Sequence, residues 1–234
     1  EPGLYLLRFN TAQLLPNWRA GDLVAIKPYN NDQTSARRYS VASVPADNEL
    51  QLVVQQQVNE QGEPGLCSGW LTDSAGLGQR IKMQLVHNPA CHIGEYQAPL
   101  LLIGAGSGLA GIRGHLAERA QQLQAGPAWL IFGERTATLN QPLQAELTRW
   151  QHAGVLQQLD CALSRDPDNP RYVQDIVAAR AEQVNQFIGH GGHVYVCGRY
   201  QGMGLAVDVS LRIALGNAAY QQMLAQGRYH RDLY

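Results

Sequence analysis

Charge is scarce in this sequence. Lysine, arginine, aspartate and glutamate together make up 16% of its 234 residues, against about a quarter in an ordinary soluble domain. Amides, glutamine above all, carry much of the polar surface instead. The net charge is −1, with no basic tail and no long run of one sign, which argues against a nucleic-acid footprint. No apolar run approaches the ~20 residues of a membrane-spanning helix, and no signal peptide is expected from the opening residues. The only cysteines are Cys67, Cys91, Cys161 and Cys197. None forms a Cys-x-x-Cys pair, so zinc-type spacing is absent and no metal site is expected. A chain of this length builds a core without disulfides, and a reducing, cytoplasmic compartment fits best. The chain starts at Glu1 rather than Met. The simplest expectation is a piece of a longer polypeptide, which leaves open a fused partner domain or a place on the cytoplasmic face of a membrane protein.

What is present divides into two parts. Up to about residue 97 the sequence reads as short strands separated by Gly, Pro and Asn: Leu4–Phe9, Leu23–Lys27, Tyr39–Val44, Leu50–Gln57 and Arg80–Leu85. That spacing suggests a small antiparallel β-barrel. From Pro99 onward, short apolar strands alternate with longer amphipathic helices. The strands are Leu100–Ile103, Ala128–Phe132, Leu156–Leu163 and His193–Cys197; the helices are Ile112–Gln124, Gln141–His152, Val173–Phe187 and Gly204–Gly216. This alternation predicts an α/β doubly wound parallel sheet. The boundary is placed within Gly94–Pro99, giving domains 1–97 and 98–234. No coiled-coil stripe or exposed apolar helix marks an oligomer surface.

Four stretches carry chemistry. In Ala36-Arg37-Arg38-Tyr39-Ser40-Val41-Ala42-Ser43, Tyr39 and Ser40 are adjacent on a strand and so face opposite sides. One can meet a flat ring and the other a polar edge, while Arg37 can reach phosphates of the same ligand. The run Gly104-Ala105-Gly106-Ser107-Gly108-Leu109-Ala110-Gly111 leaves a buried strand and opens a helix. Its glycines permit tight turns, and the helix start offers free N–H groups to an anion. Such a turn alone can also serve packing. Ser164-Arg165-Asp166, followed by Arg171-Tyr172-Val173-Gln174, lies at the carboxyl end of a predicted strand, where ligands bind in open sheets. Ser164 and Arg165 can hold a phosphomonoester, Arg171 adds charge and Tyr172 can stack on adenine. An NADH enzyme would more often carry an acidic residue here, and Asp166 stands nearby, so both nucleotides stay open with NADPH preferred. Cys197-Gly198 ends a β-branched strand, where a free cysteine is most often plain core.

In order along the chain, these segments resemble the ferredoxin–NADP reductase superfamily, and in particular the FAD/NADPH module of diflavin reductases. Gly65-Leu66-Cys67-Ser68 resembles that family's second FAD segment, and Gly227-Arg228-Tyr229-His230-Arg231-Asp232-Leu233-Tyr234 resembles its ending. The resemblance implies FAD on Arg37, Arg38, Tyr39, Ser40, Gly65, Leu66, Cys67, Ser68 and Tyr234. It implies NADPH on Gly104, Gly106, Ser107, Gly108, Ser164, Arg165, Arg171, Tyr172, Gln174 and Gly198. Ser40, Cys197 and Asp232 are implied as the catalytic set, with Tyr234 as the ring that covers the flavin. The implied activity takes a hydride from NADPH onto FAD and passes single electrons to a flavodoxin or FMN domain, a ferredoxin, or a haem or iron acceptor. The alternatives are an NADH-linked ferric or free-flavin reductase and a non-catalytic nucleotide-binding module. Three departures stand out: Gly111 where the family usually has Pro, Arg199 where Asp usually follows Cys-Gly, and a short Tyr29–Ala36 loop where diflavin reductases carry a helical insertion.

Overall fold

A computed structural model describes residues 3–10, 17–136, 141–189 and 191–234. The C-terminal part is organised by five parallel strands: β6 Leu100–Ala105, β7 Ala128–Glu134, β8 Gln158–Leu163, β9 His193–Gly198 and β10 Tyr229–Leu233, in the order β10-β9-β6-β7-β8. Ahead of them come β1 Leu4–Phe9, β2 Leu23–Ile26, β3 Arg37–Ser40, β4 Leu50–Gln55 and β5 Met83–Val86. The helices are α1 Leu66–Gly69, α2 Leu109–Ala120, α3 Gln141–His152, α4 Val173–Ala179, α5 Ala181–Gly189, α6 Leu205–Leu215 and α7 Asn217–Ala225.

The apolar runs of the parallel strands follow from burial on both faces. Leu100 and Leu102 of β6 point with Leu130, Phe132 and Tyr195 toward α2 and α3. Leu101 and Ile103 point with Trp129, Ile131, Val194 and Val196 toward α4, α5, α6 and α7. Each face is thus covered by helices, as a doubly wound sheet requires. α2 is covered twice over, because Ala42, Val44 and Val53 from the N-terminal part join the same core. That explains why even Arg113, His115 and Arg119 on this helix are buried.

The N-terminal strands form two antiparallel sheets, β1-β4 and β3-β2-β5. A bridge between Val41 and Leu52 connects them. Trp18, Val24, Ile26, Leu50, Leu52, Val54 and Trp70 pack between them as a common core.

Several expectations need correction. The strand expected over Tyr39–Val44 runs from Arg37 to Ser40. After Ser40 the chain leaves β2: the Ala42 amide turns to the Gln51 carbonyl instead. The single helix expected over Val173–Phe187 is two, broken at Arg180, whose φ of −111° and ψ of 26° are not helical. The tail is a core strand, with β10 paired in parallel to β9 and Asp232 opposite Cys197. α6 does expose an apolar row, Leu205, Val209 and Ile213, at the four-residue spacing that keeps side chains on one face.

Candidate functional site

The end of β3 meets the carboxyl ends of β9 and β10, which brings residues far apart in the chain into contact. Ser40 donates from Oγ to Asp232 Oδ2 at 2.6 Å across 192 positions. Cys197 Sγ lies 3.5 Å from the same oxygen and 3.9 Å from Ser40 Oγ. Tyr195 Oη also donates to Asp232 Oδ2, at 3.0 Å. All four side chains are buried. Burial, reinforced by the Asp232 charge, pushes the Cys197 thiol well above its usual range. It therefore remains a thiol and not a nucleophilic thiolate.

The glycine loop sits beside this cluster. Gly106 adopts φ 56°, a conformation that favours glycine. A Cβ at Gly104 would stand 2.7 Å from the Cys197 carbonyl oxygen, so the loop lies directly against β9. The loop runs through a tight turn, Gly106–Gly108, whose Leu109 amide donates back to the Gly106 carbonyl, and then opens α2, a helix start of the kind that suits an anion. Ser107 Oγ is hydrogen-bonded to Tyr234 Oη at 2.5 Å. The Tyr234 backbone is anchored as well: its amide donates to the Gly198 carbonyl at 3.1 Å, and its carbonyl accepts from the Tyr200 amide at 2.8 Å.

A cavity of ≈ 550 Å³ opens at the carboxyl ends of the parallel strands. Of the expected nucleotide residues, Gly106, Ser164, Arg171, Tyr172 and Gln174 line it. Arg165 is not among its lining residues; its amide donates to the Arg135 carbonyl at 3.0 Å. Arg135, Arg199 and Glu134 also line the cavity and were not anticipated. Glu134 and Arg135 follow the strand expected to stop at Phe132, and that carboxyl-edge position was the available signal. Arg199 was visible as the departure after Cys-Gly, without a role attached. Burial pushes the Glu134 carboxyl up to about 7.

On the other side, Tyr39 is half-buried while Arg37 and Arg38 are exposed. Gly65 precedes α1, as expected for a turn that opens a helix. The Ser68 hydroxyl accepts from the Gln57 amide at 3.0 Å. Cys67 is buried against the Ile26 carbonyl, 3.9 Å away, with its thiol pushed up by burial. That suits a structural role, with Leu66 exposed next to it.

The residues present fit two ligand groups. A glycine loop against β9, a helix start and three arginines around one cavity suit a phosphorylated nucleotide. An aromatic face at Tyr39, a hydroxyl at Ser40 and exposed guanidinium groups at Arg37 and Arg38 suit a flat ring with its own phosphates. Among the described residues no cluster of His, Cys, Asp and Glu could hold a metal ion. No helix among them is long and apolar enough to cross a membrane.

Residues 102–208 match the family described as oxidoreductase NAD-binding domain. The chain is 32% identical over 214 residues to a sulfite reductase [NADPH] flavoprotein alpha-component of Photobacterium profundum, covering 85% of this chain and 35% of that protein. It is 29% identical over 245 residues to the protein of the same name from Salmonella arizonae, covering 98% of this chain and 40% of that protein. The chain therefore spans well under half the length of these relatives.

Proposed function

This chain belongs to the ferredoxin–NADP reductase superfamily, as a reductase module of the diflavin type, and from that premise we propose that it oxidises NADPH through bound FAD and hands electrons singly to a separate acceptor. The observation that carries the reading is the meeting of Ser40, Cys197 and Asp232 within hydrogen-bonding reach, next to the glycine loop. The words NADPH and flavoprotein in the names of the relatives support it. Residues 1–97 are the FAD-binding domain, with the two antiparallel sheets as parts of one barrel. Residues 98–234 are the NADP-binding domain.

FAD, when bound, supplies the conversion between hydride and single-electron chemistry. The protein supplies placement and electrostatics. Arg37 and Arg38 neutralise phosphate charge, Tyr39 stacks on the ring system, and Ser40 presents its hydroxyl to the ring edge. Gly65, Leu66, Cys67 and Ser68 would form the turn that holds the FAD pyrophosphate, through the amides after Gly65 and the Ser68 hydroxyl, while the Gly65 amide fixes the turn by donating to the Gln57 carbonyl at 2.7 Å. Gly104, Gly106, Ser107 and Gly108 cradle the NADPH pyrophosphate. Ser164, Arg165 and Arg171 take the 2′-phosphate, with Arg135 and Arg199 as added cations. Tyr172 covers the adenine, and Gln174 lines its pocket.

Cys197 and Gly198 border the nicotinamide. As a neutral thiol, Cys197 packs and orients without attacking. Asp232 is the negative charge that stabilises a pyridine ring as it turns cationic. Tyr234 shields the reactive face from water and swings aside for nicotinamide. The acceptor is a flavodoxin or FMN domain, a ferredoxin, or a haem or iron centre, working in the cytoplasm or at its membrane face.

One observation favours the NADH-linked reading: Glu134 ends the second strand of the sheet, and a carboxylate there can hydrogen-bond a ribose diol. A non-catalytic module is disfavoured, because scaffolding gives no reason to bury a serine, a thiol and a carboxylate together.

The purified chain, supplied with FAD, is expected to be yellow and to bleach anaerobically faster with NADPH than with NADH. A protein that retains no flavin ends the reading. Faster bleaching with NADH replaces it with the alternative.

A further inference from the structure

Tyr195 is a buried polar group that the mechanism above leaves without a role. It lies on β9, two residues before Cys197, and is 0% exposed. Its hydroxyl donates to Asp232 Oδ2 at 3.0 Å, the oxygen that also receives Ser40 Oγ and faces Cys197 Sγ. Burial, with Cys197 and Asp232 adding to it, holds the phenol well above its usual range, so it stays a donor. Its ring is met edge-on by His115, with centroids 4.3 Å apart. Burial pushes that imidazole down to about 3, so it is neutral and does not compete with the phenol for the Asp232 charge.

The hydroxyl reaches Asp232 through space that Gly111 leaves clear. A Cβ at position 111 would collide with Tyr195 Oη, and would stand 2.9 Å from its Cζ and 3.1 Å from Cys197 Sγ. The chain thus has no side chain where the related loops usually carry Pro, and the phenol fills that space. Three donors converge on Oδ2, from β3 and from two positions of β9. Together they fix the rotation of the carboxylate and leave Oδ1 outside the cluster.

We propose that Tyr195 is a positioning residue for Asp232, and that Gly111 is the vacancy that lets it act. The inference rests on the reading in which Asp232 serves the nicotinamide. The contact is formed by this chain's own side chains. Because Tyr195 is fully buried and does not line the cavity assigned to the nucleotide, its effect is expected in turnover rather than in binding.

The test uses the full chain loaded with FAD, as wild type, Tyr195→Phe, Gly111→Ala, the double variant and Asp232→Asn. Infrared difference spectra taken before NADPH is added isolate the Asp232 carboxylate by subtraction against Asp232→Asn. Steady-state kinetics with NADPH then separate kcat from KM. Tyr195→Phe is expected to shift the carboxylate band and lower kcat roughly tenfold, with KM within about twofold of wild type, the scale of one hydrogen bond to a charged group. A tyrosine that only filled the core would leave the band in place. Gly111→Ala is expected to reproduce both effects, and the double variant to be no worse than the worse single, since both changes remove one contact. If Gly111→Ala does not fold, Tyr195→Phe decides alone.

An unmoved band, or a loss carried wholly by KM, overturns the proposal. An unchanged kcat in Tyr195→Phe while Asp232→Asn is slow also overturns it, and leaves the parent reading standing. An unchanged kcat in Asp232→Asn removes the parent reading and this inference with it.

Discussion

Ser107 of the glycine loop and Tyr234 at the chain end, 127 positions apart, are joined hydroxyl to hydroxyl at 2.5 Å. The bond gives the terminal ring a defined resting place against the loop assigned to the NADPH pyrophosphate. On the proposed assignment, a nucleotide that takes the Ser107 hydroxyl is expected to displace Tyr234, which would couple ring displacement to phosphate binding and favour the nucleotide with more phosphate contacts.

Deleting Tyr234 removes that competition. The NADH-to-NADPH ratio of kcat/KM is expected to rise roughly tenfold, the scale of one lost ring contact. Steady-state kinetics with both nucleotides check this, and an unchanged ratio would count against the shielding role.

Arg171 and Arg165 separate what the chain pattern treated as one cluster. Arg171 lines the cavity and Arg165 does not. Arg171→Ala is therefore expected to raise KM for NADPH roughly tenfold, as loss of a charge-assisted hydrogen bond does, with little change for NADH. Arg165→Ala is expected to have the smaller effect. If NADPH preference survives both changes, the 2′-phosphate site lies elsewhere.

Glu134 is expected to make stability and nucleotide binding depend on pH. Burial raises its carboxyl from 4.5 to about 7. A raised acid holds its full contribution below the unfolded value and loses it as pH climbs through the folded one. Between pH 4.5 and 7 the native state binds the proton more tightly than the unfolded chain, so stability falls across that window. Glu134→Gln is expected to gain roughly 1–2 kcal/mol at pH 8 and nothing at pH 4, after allowance for partial exposure. Urea unfolding at the two pH values measures it. Binding of NADP+ should also tighten at pH 8 in the variant, because a negative charge leaves a phosphate pocket.

Arg113 fastens the two parts together. Its guanidinium reaches Glu146 at 2.8 Å, Asp47 at 3.0 Å and the Ala42 carbonyl at 2.7 Å. Only 6% of its side chain is exposed. Arg113→Ala leaves Asp47 without its cation and Glu146 with only the exposed Arg149, 3.2 Å away, and is expected to cost about 3 kcal/mol, the lower end for breaking a buried pair. Equilibrium unfolding measures the loss.

The parallel sheet was readable because its strands are buried on both faces, so β6 and β7 are plain apolar runs against a helical background. α3 was readable to its ends, Gln141 and His152, because one face is polar. β10 was hidden because its sequence, Tyr229-His230-Arg231-Asp232-Leu233, is polar; His230 and Asp232 are buried through partners that the local sequence does not display. The break at Arg180 was hidden because no proline or glycine marks it. Local motifs carried Ser164, Arg171, Tyr172 and Gly106 into the cavity lining, and Gly104, Ser107 and Gly108 stay outside it. Arg135 and Arg199 line the cavity from strand ends, a position the strand pattern offered without a role, whereas the contact of Tyr195 with Asp232 passes through the gap at Gly111, which no linear spacing records.

The most direct test of the central assignment is a single anaerobic turnover of the FAD-loaded chain with NADPH carrying deuterium or hydrogen at the transferable position of the nicotinamide. Hydride transfer across the Ser40, Cys197 and Asp232 cluster predicts loss of the visible flavin band in step with NADPH oxidation, slower with deuterium, and slower again in Ser40→Ala. A flavin band that stays unchanged on mixing would contradict it.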